Sequence, residues 1–323
     1  MMLKVLRFVL FLSLTLLPFS LAAQSGVTRT IEEQLEITAQ NLEIWPAWLI
    51  TEKGRIHRQE GRLSEAFTFF FKALEKAPAD PTIEIELARS FLQSGDIRLT
   101  RFHLQRALEK RNGFSSPDMV FDVYYFLADL AFLQQLPREY EQHLQTIVEA
   151  DSFYSSNEPF QENLRNNVLS SFTSNGLDRT LILYRIPEHV SLDAHRQLGV
   201  FYTRSGRYDR ALKHLLFAVM QSYSRVISEV RNRILDFEFT TMANLHRVIQ
   251  NEPGLLEYLS MVQVYESLYF LAEALFGFDR TRVHISRAIW NHLLSVPQAQ
   301  EFHRISAEQI RDPRTFVDSP TNR

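Results

Sequence analysis

The chain contains no cysteine. This absence excludes disulfide bonds, thiolate metal sites and a cysteine nucleophile, and also a lipid attached to a cysteine after a leader sequence. Glycine and proline are scarce, with 10 and 12 copies in 323 residues. Because these residues mark turns, their scarcity favours helices over an all-β fold. With 45% hydrophobic and 23% charged residues, the chain has the composition of a folded protein that relies on its non-covalent core.

Sequence motifs that carry catalytic or metal-binding chemistry are also absent. The chain has no His-Glu-x-x-His, no Gly-x4-Gly-Lys and no Gly-x-Ser-x-Gly, and its ten histidines are scattered. The pairs Glu139/His143 and His284/His292 each share one face of a predicted helix, where a structural role is the better interpretation. We therefore predict no catalytic residue, no metal and no cofactor, and a protein that is not an enzyme. Only a site assembled from distant residues would escape this prediction.

What the chain does contain is an internal repeat, in which six positions recur at spacings of 7, 5, 4, 3 and 5 residues. The first copy consists of Gly54, Gly61, Ala66, Phe70, Ala73 and Pro78. A second good copy consists of Gly199, Gly206, Ala211, Leu215, Ala218 and Tyr223. Weaker copies begin at Ala88 and Ala128, and a degenerate copy fits between Ala128 and Gly199 with its turn at 174–176. Beyond Ser224 the spacing no longer fits.

Each position of the repeat has a physical interpretation. Glycine at the second position permits the positive φ of a tight turn between two helices. A small residue at the first position lets the first helix approach its neighbour closely. The spacing predicts five helix pairs: 47–60 with 63–76, 81–94 with 97–110, 118–134 with 137–149, 160–173 with 177–186, and 191–204 with 207–221. Shorter helices are expected at 226–237 and 240–249, and one long buried helix at 255–276, with a partner at 280–295.

The run Leu198-Gly199-x2-Tyr202, followed by Gly206 and Ala211, resembles the tetratricopeptide (TPR) repeat, a helix–turn–helix unit of about 34 residues. In the weaker copies the alanine of the motif is replaced, for example by Thr100. The resemblance covers about 47–152 and 190–225. It implies an all-α fold, a TPR-like α-solenoid of stacked helix–turn–helix repeats, with atypical C-terminal helices. It implies a binding scaffold in general and does not name the partner.

The resemblance also implies a binding surface, because the first helices of successive TPR repeats line a concave groove. It places eight residues there: Trp48, Arg55, Arg58, Arg89, Tyr125, Asp129, Phe132 and Arg196. Arginine and aromatic side chains are favoured at interface hot spots. Stacked Arg55 and Arg89 could hold a carboxylate or an acidic peptide. The alternative is that these arginines pair with glutamates on neighbouring helices.

The N-terminus has the order of regions of a secretory signal peptide. Lys4 and Arg7 precede an apolar run at 8–21, which the small residues 22–23 follow. We predict cleavage to a mature chain that starts near Gln24; the alternative is an uncleaved membrane anchor. Export without cysteine favours a bacterial periplasm. Loss of the leader changes the formal charge from −3 to −5, which does not suggest nucleic-acid binding.

These observations predict five parts: a signal peptide (1–23), N-terminal TPR-like repeats (24–156), further repeats (157–225), an atypical helical region (226–310) and a flexible tail (311–323). We expect an exported scaffold that binds a protein or peptide in the bacterial envelope, with no nucleic-acid partner and no integral membrane span in the mature chain. One alternative is a homo-oligomer that buries the apolar segment 255–276. Another is a ligand-binding accessory protein of a transport system.

Overall fold

The structure is a computed structural model that describes residues 42–316, in which there are 15 α-helices and no β-strand. The predicted leader at 1–23 and the end of the predicted tail, 317–323, lie outside the described residues. The helices are α1 (Ala47–Gln59), α2 (Leu63–Lys76), α3 (Pro81–Gln93), α4 (Ile97–Glu109), α5 (Met119–Leu133), α6 (Pro137–Glu149), α7 (Ser152–Ser155), α8 (Pro159–Leu183), α9 (Leu192–Arg204), α10 (Tyr208–Arg233), α11 (Met242–Ile249), α12 (Pro253–Met261), α13 (Val264–Phe278), α14 (Val283–Ser295) and α15 (Gln300–Arg311). Among these described helices, none is long and apolar enough to cross a membrane.

The all-α prediction is confirmed, and the turns of four helix pairs share one backbone geometry. Positive φ values occur at Gly61 (79°), Gly95 (86°), Gly206 (72°) and the equivalent Gln135 (58°). After Gly61, the backbone N–H of the next residue donates to a carbonyl five residues back, at 2.8 Å, and the equivalent bonds after the other three measure 2.9 Å. This arrangement is the Schellman helix cap, in which the left-handed residue turns the chain back along the first helix.

The two helices of a pair approach most closely where the repeat has a small residue facing a large one. A β-carbon added to Gly54 would lie 2.6 Å from the Phe70 ring, and one added to Gly199 would lie 2.3 Å from Leu215. In the two weaker copies, Ala88 with Leu104 and Ala128 with Leu144 occupy these positions and are fully buried. The repeated spacing therefore encodes one interhelical contact.

The pairs α1/α2, α3/α4, α5/α6, α9/α10 and α13/α14 pack on one another in that order. The degenerate pair predicted between α6 and α9 is not placed between them, because α9 packs directly on α6. Its turn does form: Gly176 has a φ of 81° inside α8, and Thr180 Oγ1 lies 3.1 Å from Ser171 Oγ. The two arms of α8 therefore fold back on each other. Together they pack against α10 and α14 instead.

The C-terminal region differs from the prediction in two places. α10 continues to Arg233 as one helix of 26 residues, where two helices were predicted. The long helix predicted at 255–276 is divided into α12 and α13, because Gln263 adopts a left-handed φ of 52°. α13 packs on both α9 and α10 and pairs with α14, so the order of packing continues past the last position of the repeat.

One apolar core joins the third pair to the C-terminal helices, running from Ala128 to Ala299, while two smaller clusters lie under α1–α5. The predicted flexible tail is partly docked, because Thr315 is buried and the backbone N–H of Phe316 donates to the Glu273 carboxylate. Three phenylalanines of α2 pack in one of these smaller clusters: Phe70 is fully buried, and Phe67 and Phe69 are partly buried.

Substituting Gly199→Ala should destabilise the protein by about 1–3 kcal/mol, because the added methyl group overlaps Leu215 in a packed core. Denaturant unfolding of the purified chain measures this difference. The matched control is Gly254→Ala, also at a helical glycine, since an added β-carbon there meets nothing within 4 Å. Equal stability of the two variants would contradict the close-approach interpretation.

Candidate partner-binding face

The first helices of the successive pairs (α1, α3, α5, α9 and α13) carry a series of charged and aromatic side chains that contact one another across helix boundaries. We call this surface the first-helix face. It contains all eight residues that the sequence predicted for a groove. It also contains carboxylates outside that prediction: Asp118 and Asp122 in the α5 stripe, and three that pair with arginines, namely Glu86 of α3, Asp193 of α9 and Glu266 of α13.

The basic half of the face consists of three arginines around one buried carboxylate, Glu86, whose side chain is 1% exposed. Arg55 Nε and Arg58 Nη2 each lie 3.1 Å from Glu86, and Arg89 Nη1 lies 2.6 Å away. Arg55 also pairs with Glu52 on its own helix. The predicted pairing of arginines with a glutamate of a neighbouring helix is therefore present. Three guanidinium groups around one carboxylate still leave this half with donors and positive charge in excess.

Trp48 lies about two turns before Arg55 and three turns before Arg58 on α1 and is 66% exposed. An exposed indole on the same helix as arginine side chains is a combination that favours protein contacts, because tryptophan and arginine are enriched at interface hot spots. Arg89 remains about half exposed at the side-chain level, whereas Arg58 is mostly covered. Trp48, Arg55 and Arg89 are thus the accessible members of this half.

The acidic half of the face begins on α5, where five residues share one stripe. Their spacing of four, three, four and three residues keeps them on one side of the helix. They are Asp118, Asp122, Tyr125, Asp129 and Phe132. Phe132 is 50% exposed and lies 5.7 Å, centroid to centroid, from the ring of Tyr140.

Tyr125 and Arg196 fix the geometry of this half. The Tyr125 hydroxyl donates to the carbonyl of Val190 at 2.8 Å and accepts from the backbone N–H of Ala194 at 2.9 Å, which ties α5 to the start of α9. Arg196 is buried and bonds to Asp193 at 2.7 Å and to Glu266 of α13. Both predicted site residues therefore act within the chain, as connectors between helices.

The Asp129 carboxylate, like those of Asp118 and Asp122, has no hydrogen-bond partner among the described residues. Its side chain is exposed, yet the surrounding helices displace much of the more distant water. This burial, together with the charge of Asp193, raises the pKa of Asp129 to about 7, although Arg196 acts in the opposite direction. Burial also raises the pKa of Asp122, against the charge of Arg89.

A cavity of about 420 Å³ opens at the end of the α5 stripe. Asp118, Glu188, His189 and Val190 line it. Glu188 also accepts a hydrogen bond from Tyr258 at 3.0 Å and pairs with Arg225. The acidic half thus continues from the helix surface into an open depression beside the start of α5.

The charged cluster around Glu84 stabilises the core. Glu84 is fully buried and accepts from His103 at 2.7 Å and from Arg106 at 3.1 Å, and it also pairs with Lys110. Burial alone would raise the pKa of Glu84, but the hydrogen bonds from His103 and Lys110 and the charge of Lys110 lower it to about 2. This cluster joins α3 to α4, and its carboxylate is fully used by these partners.

The three arginine-paired carboxylates missed by the sequence analysis had different signals. Glu266 is a charged residue in a strongly apolar segment, which is a recognisable sign of a buried ion pair. Glu86 and Asp193 are ordinary helix-surface residues in the sequence. Only their contacts with arginines on the same face give them a role.

No family model matches the chain. It is similar to an uncharacterized protein of Treponema pallidum, with 25% identity over 203 residues that cover 63% of this chain and 54% of that protein. It is also similar to an uncharacterized protein of Borreliella burgdorferi, with 22% identity over 281 residues that cover 80% of this chain and 86% of that protein. The match thus spans about half the length of the first relative and most of the second.

Substituting Asp129→Asn should stabilise the protein at pH 8 by about 1 kcal/mol, after allowance for solvent screening of an open carboxylate. The folded pKa of about 7 lies above the unfolded value of about 3.9. Ionisation of Asp129 therefore opposes folding increasingly as the pH rises between these values. The advantage of the variant should vanish near pH 4. Denaturant unfolding across this pH range measures it, with Glu109→Gln, an exposed carboxylate of α4, as control. A loss of stability at pH 8 would show that the Asp129 carboxylate has a stabilising partner.

Proposed function

We propose that the chain is an exported, TPR-like α-solenoid scaffold that binds a segment of a partner protein on its first-helix face. The observation that carries this proposal is the first-helix face itself: exposed aromatic residues and charges in excess of their partners recur on the first helix of successive pairs. Within the described residues, no group of three His, Cys, Asp or Glu side chains could hold a metal ion.

The repeated geometry supports the TPR-like part of the proposal. Four turns have a residue in the left-handed conformation at the equivalent position and the same helix cap. Two helix pairs share the same contact between a glycine and a large side chain. Successive pairs pack in chain order. A repeat architecture of this kind offers an extended surface made of equivalent helices, and partner binding is its common use.

The excess of charge supports the binding part. Glu86 and Glu52 together balance two of the three arginines, and on α5 three aspartates share a stripe with no basic residue. Charges that are placed close together without full compensation lower the stability of the folded chain. Their retention on one face is accounted for by a partner that supplies the missing charges.

The apolar segment 255–276, which suggested a homo-oligomer, offers little surface for a second copy. Leu259, Val264, Leu268 and Leu271 are fully buried inside the chain itself. Met261 is an exposed exception, at 71%. The structure therefore gives the oligomer alternative no apolar face in this segment.

Export is the part of the proposal that rests on residues 1–23. Full-length protein produced in a bacterium should appear in the periplasmic fraction with a new N-terminus near Gln24, because the apolar run directs secretion. N-terminal sequencing of the fractionated protein measures this. Leu14→Arg, which interrupts the run, should retain the full-length chain in the cytoplasm, whereas Val27→Arg, beyond it, should not. An intact N-terminus in the wild-type protein would contradict cleavage.

Partner binding is tested by placing a photoreactive amino acid at single positions in the cell. Crosslinks to one partner are expected from positions 48 and 132, which replace the exposed Trp48 and Phe132 of first helices. Phe71 and Phe102 are the matched controls, because they are exposed aromatic residues on the second helices α2 and α4, at 45% and 46%. Mass spectrometry identifies the captured protein. Equal capture from both pairs of positions, or from the second helices alone, would overturn the assignment of the face.

A further inference from the structure

We propose that the acidic half of the first-helix face docks a segment of the partner protein that carries lysine or arginine side chains. This inference rests on the proposed function, and it adds the chemistry of the partner and the part of the face that it contacts. The juxtaposition that carries it is a stripe of unpaired carboxylates on α5, exposed aromatic surface in the same stripe, and a carboxylate-lined cavity at its end.

The charge balance of this half is strongly negative. Arg196 is committed to Asp193 and Glu266, and Arg225 is committed to Glu188. This leaves the three aspartates of the α5 stripe, whose side chains have no hydrogen-bond partner among the described residues. They are Asp118, Asp122 and Asp129. The arginines of this half are therefore already paired. Arg89 of the basic half acts on Asp122, and a cation from outside would balance the charge that remains.

The spacing of the three aspartates fits separate cationic side chains. At a rise of about 1.5 Å per residue, Asp118 and Asp122 lie about 6 Å apart along the helix axis, and Asp129 lies roughly 10 Å further on. Within the described part of the chain, no group of three His, Cys, Asp or Glu side chains could hold a metal ion. An extended peptide presents alternate side chains about 6.6 Å apart, which matches the first interval.

Phe132 suits the rest of a lysine or arginine side chain. Its ring is half exposed, three residues after Asp129. Aromatic faces attract ammonium and guanidinium groups and pack against the methylene stems that carry them. A small inorganic cation would use the carboxylates alone and leave the Phe132 ring exposed.

The cavity at the end of the stripe gives the segment an anchor. Its volume of about 420 Å³ accommodates a long side chain, and Asp118, which has no ion pair among the described residues, is one of the residues that line it. On the α3 side of α5, Arg89 lies near enough to Asp122 for its charge to oppose the rise in that carboxyl's pKa. The basic half is therefore adjacent to α5, and its positive charge repels a cationic segment. These two features limit the segment to α5 and its neighbours.

The test is calorimetric titration of the purified mature chain at pH 8 and low salt with two synthetic peptides. In one, lysine alternates with alanine, and in the other glutamate replaces lysine. The lysine peptide should bind, and the triple variant Asp118→Asn, Asp122→Asn, Asp129→Asn should weaken its binding by about tenfold or more. The matched control is Glu65→Gln, Glu109→Gln, Glu149→Gln, which changes the net charge equally through exposed carboxylates of second helices and should change binding by less than about twofold.

Loss of binding in the first triple variant alone, with an unchanged unfolding transition, is the supporting result. Equal weakening in both triple variants would show attraction to net charge only and would overturn the inference. The inference would also be overturned if the lysine peptide did not bind, or if the α5 substitutions left its binding unchanged. Binding of the glutamate peptide alone would leave the proposed scaffold standing, since the basic half would then be the binding surface. Failure of the crosslinking experiment would refute the scaffold itself.

Discussion

The close approach of two helices at a glycine is the contact on which the rest of this structure depends. Gly54 lies against Phe70, and Gly199 lies against Leu215, with no room for a β-carbon in either place. The contact sets the spacing of the helix pair, and the left-handed turn that follows sets its direction. Because each pair then presents its first helix in an equivalent position, side chains from α1 to α13 can share one face.

That face combines side chains that stabilise the fold with a carboxylate whose charge opposes it. Arg196 and Tyr125 hold helices together and are fully committed inside the fold. Asp129 is placed among the same helices without a hydrogen bond, and its raised pKa reflects the unfavourable placement of the charge. A packed fold tolerates such a residue when the remainder of the core is large, and here one core extends from α5 to the C-terminal helices.

Much of the fold could be predicted because helix pairs are local. The bounds of α1 to α6 agree with the predicted pairs within one or two residues, since short loops, turn glycines and apolar spacing act over a few residues. The eight predicted site residues do share first helices, but the sequence did not distinguish the connectors from the accessible residues. The neighbouring helices decide whether the Arg58 and Arg196 side chains are buried, and they also supply the carboxylate with which each arginine pairs.

The sequence by itself determined the helical class, the helix pairs and the residues that let each pair close. It did not determine how pairs meet across long insertions. The turn at Gly176 formed as expected, yet α8 packs against α10 and α14 while α9 packs on α6. The ion pair between Arg196 and Glu266 joins residues 70 positions apart. Only the tertiary structure decided these contacts, because they depend on which buried surfaces are complementary, and no local spacing records that.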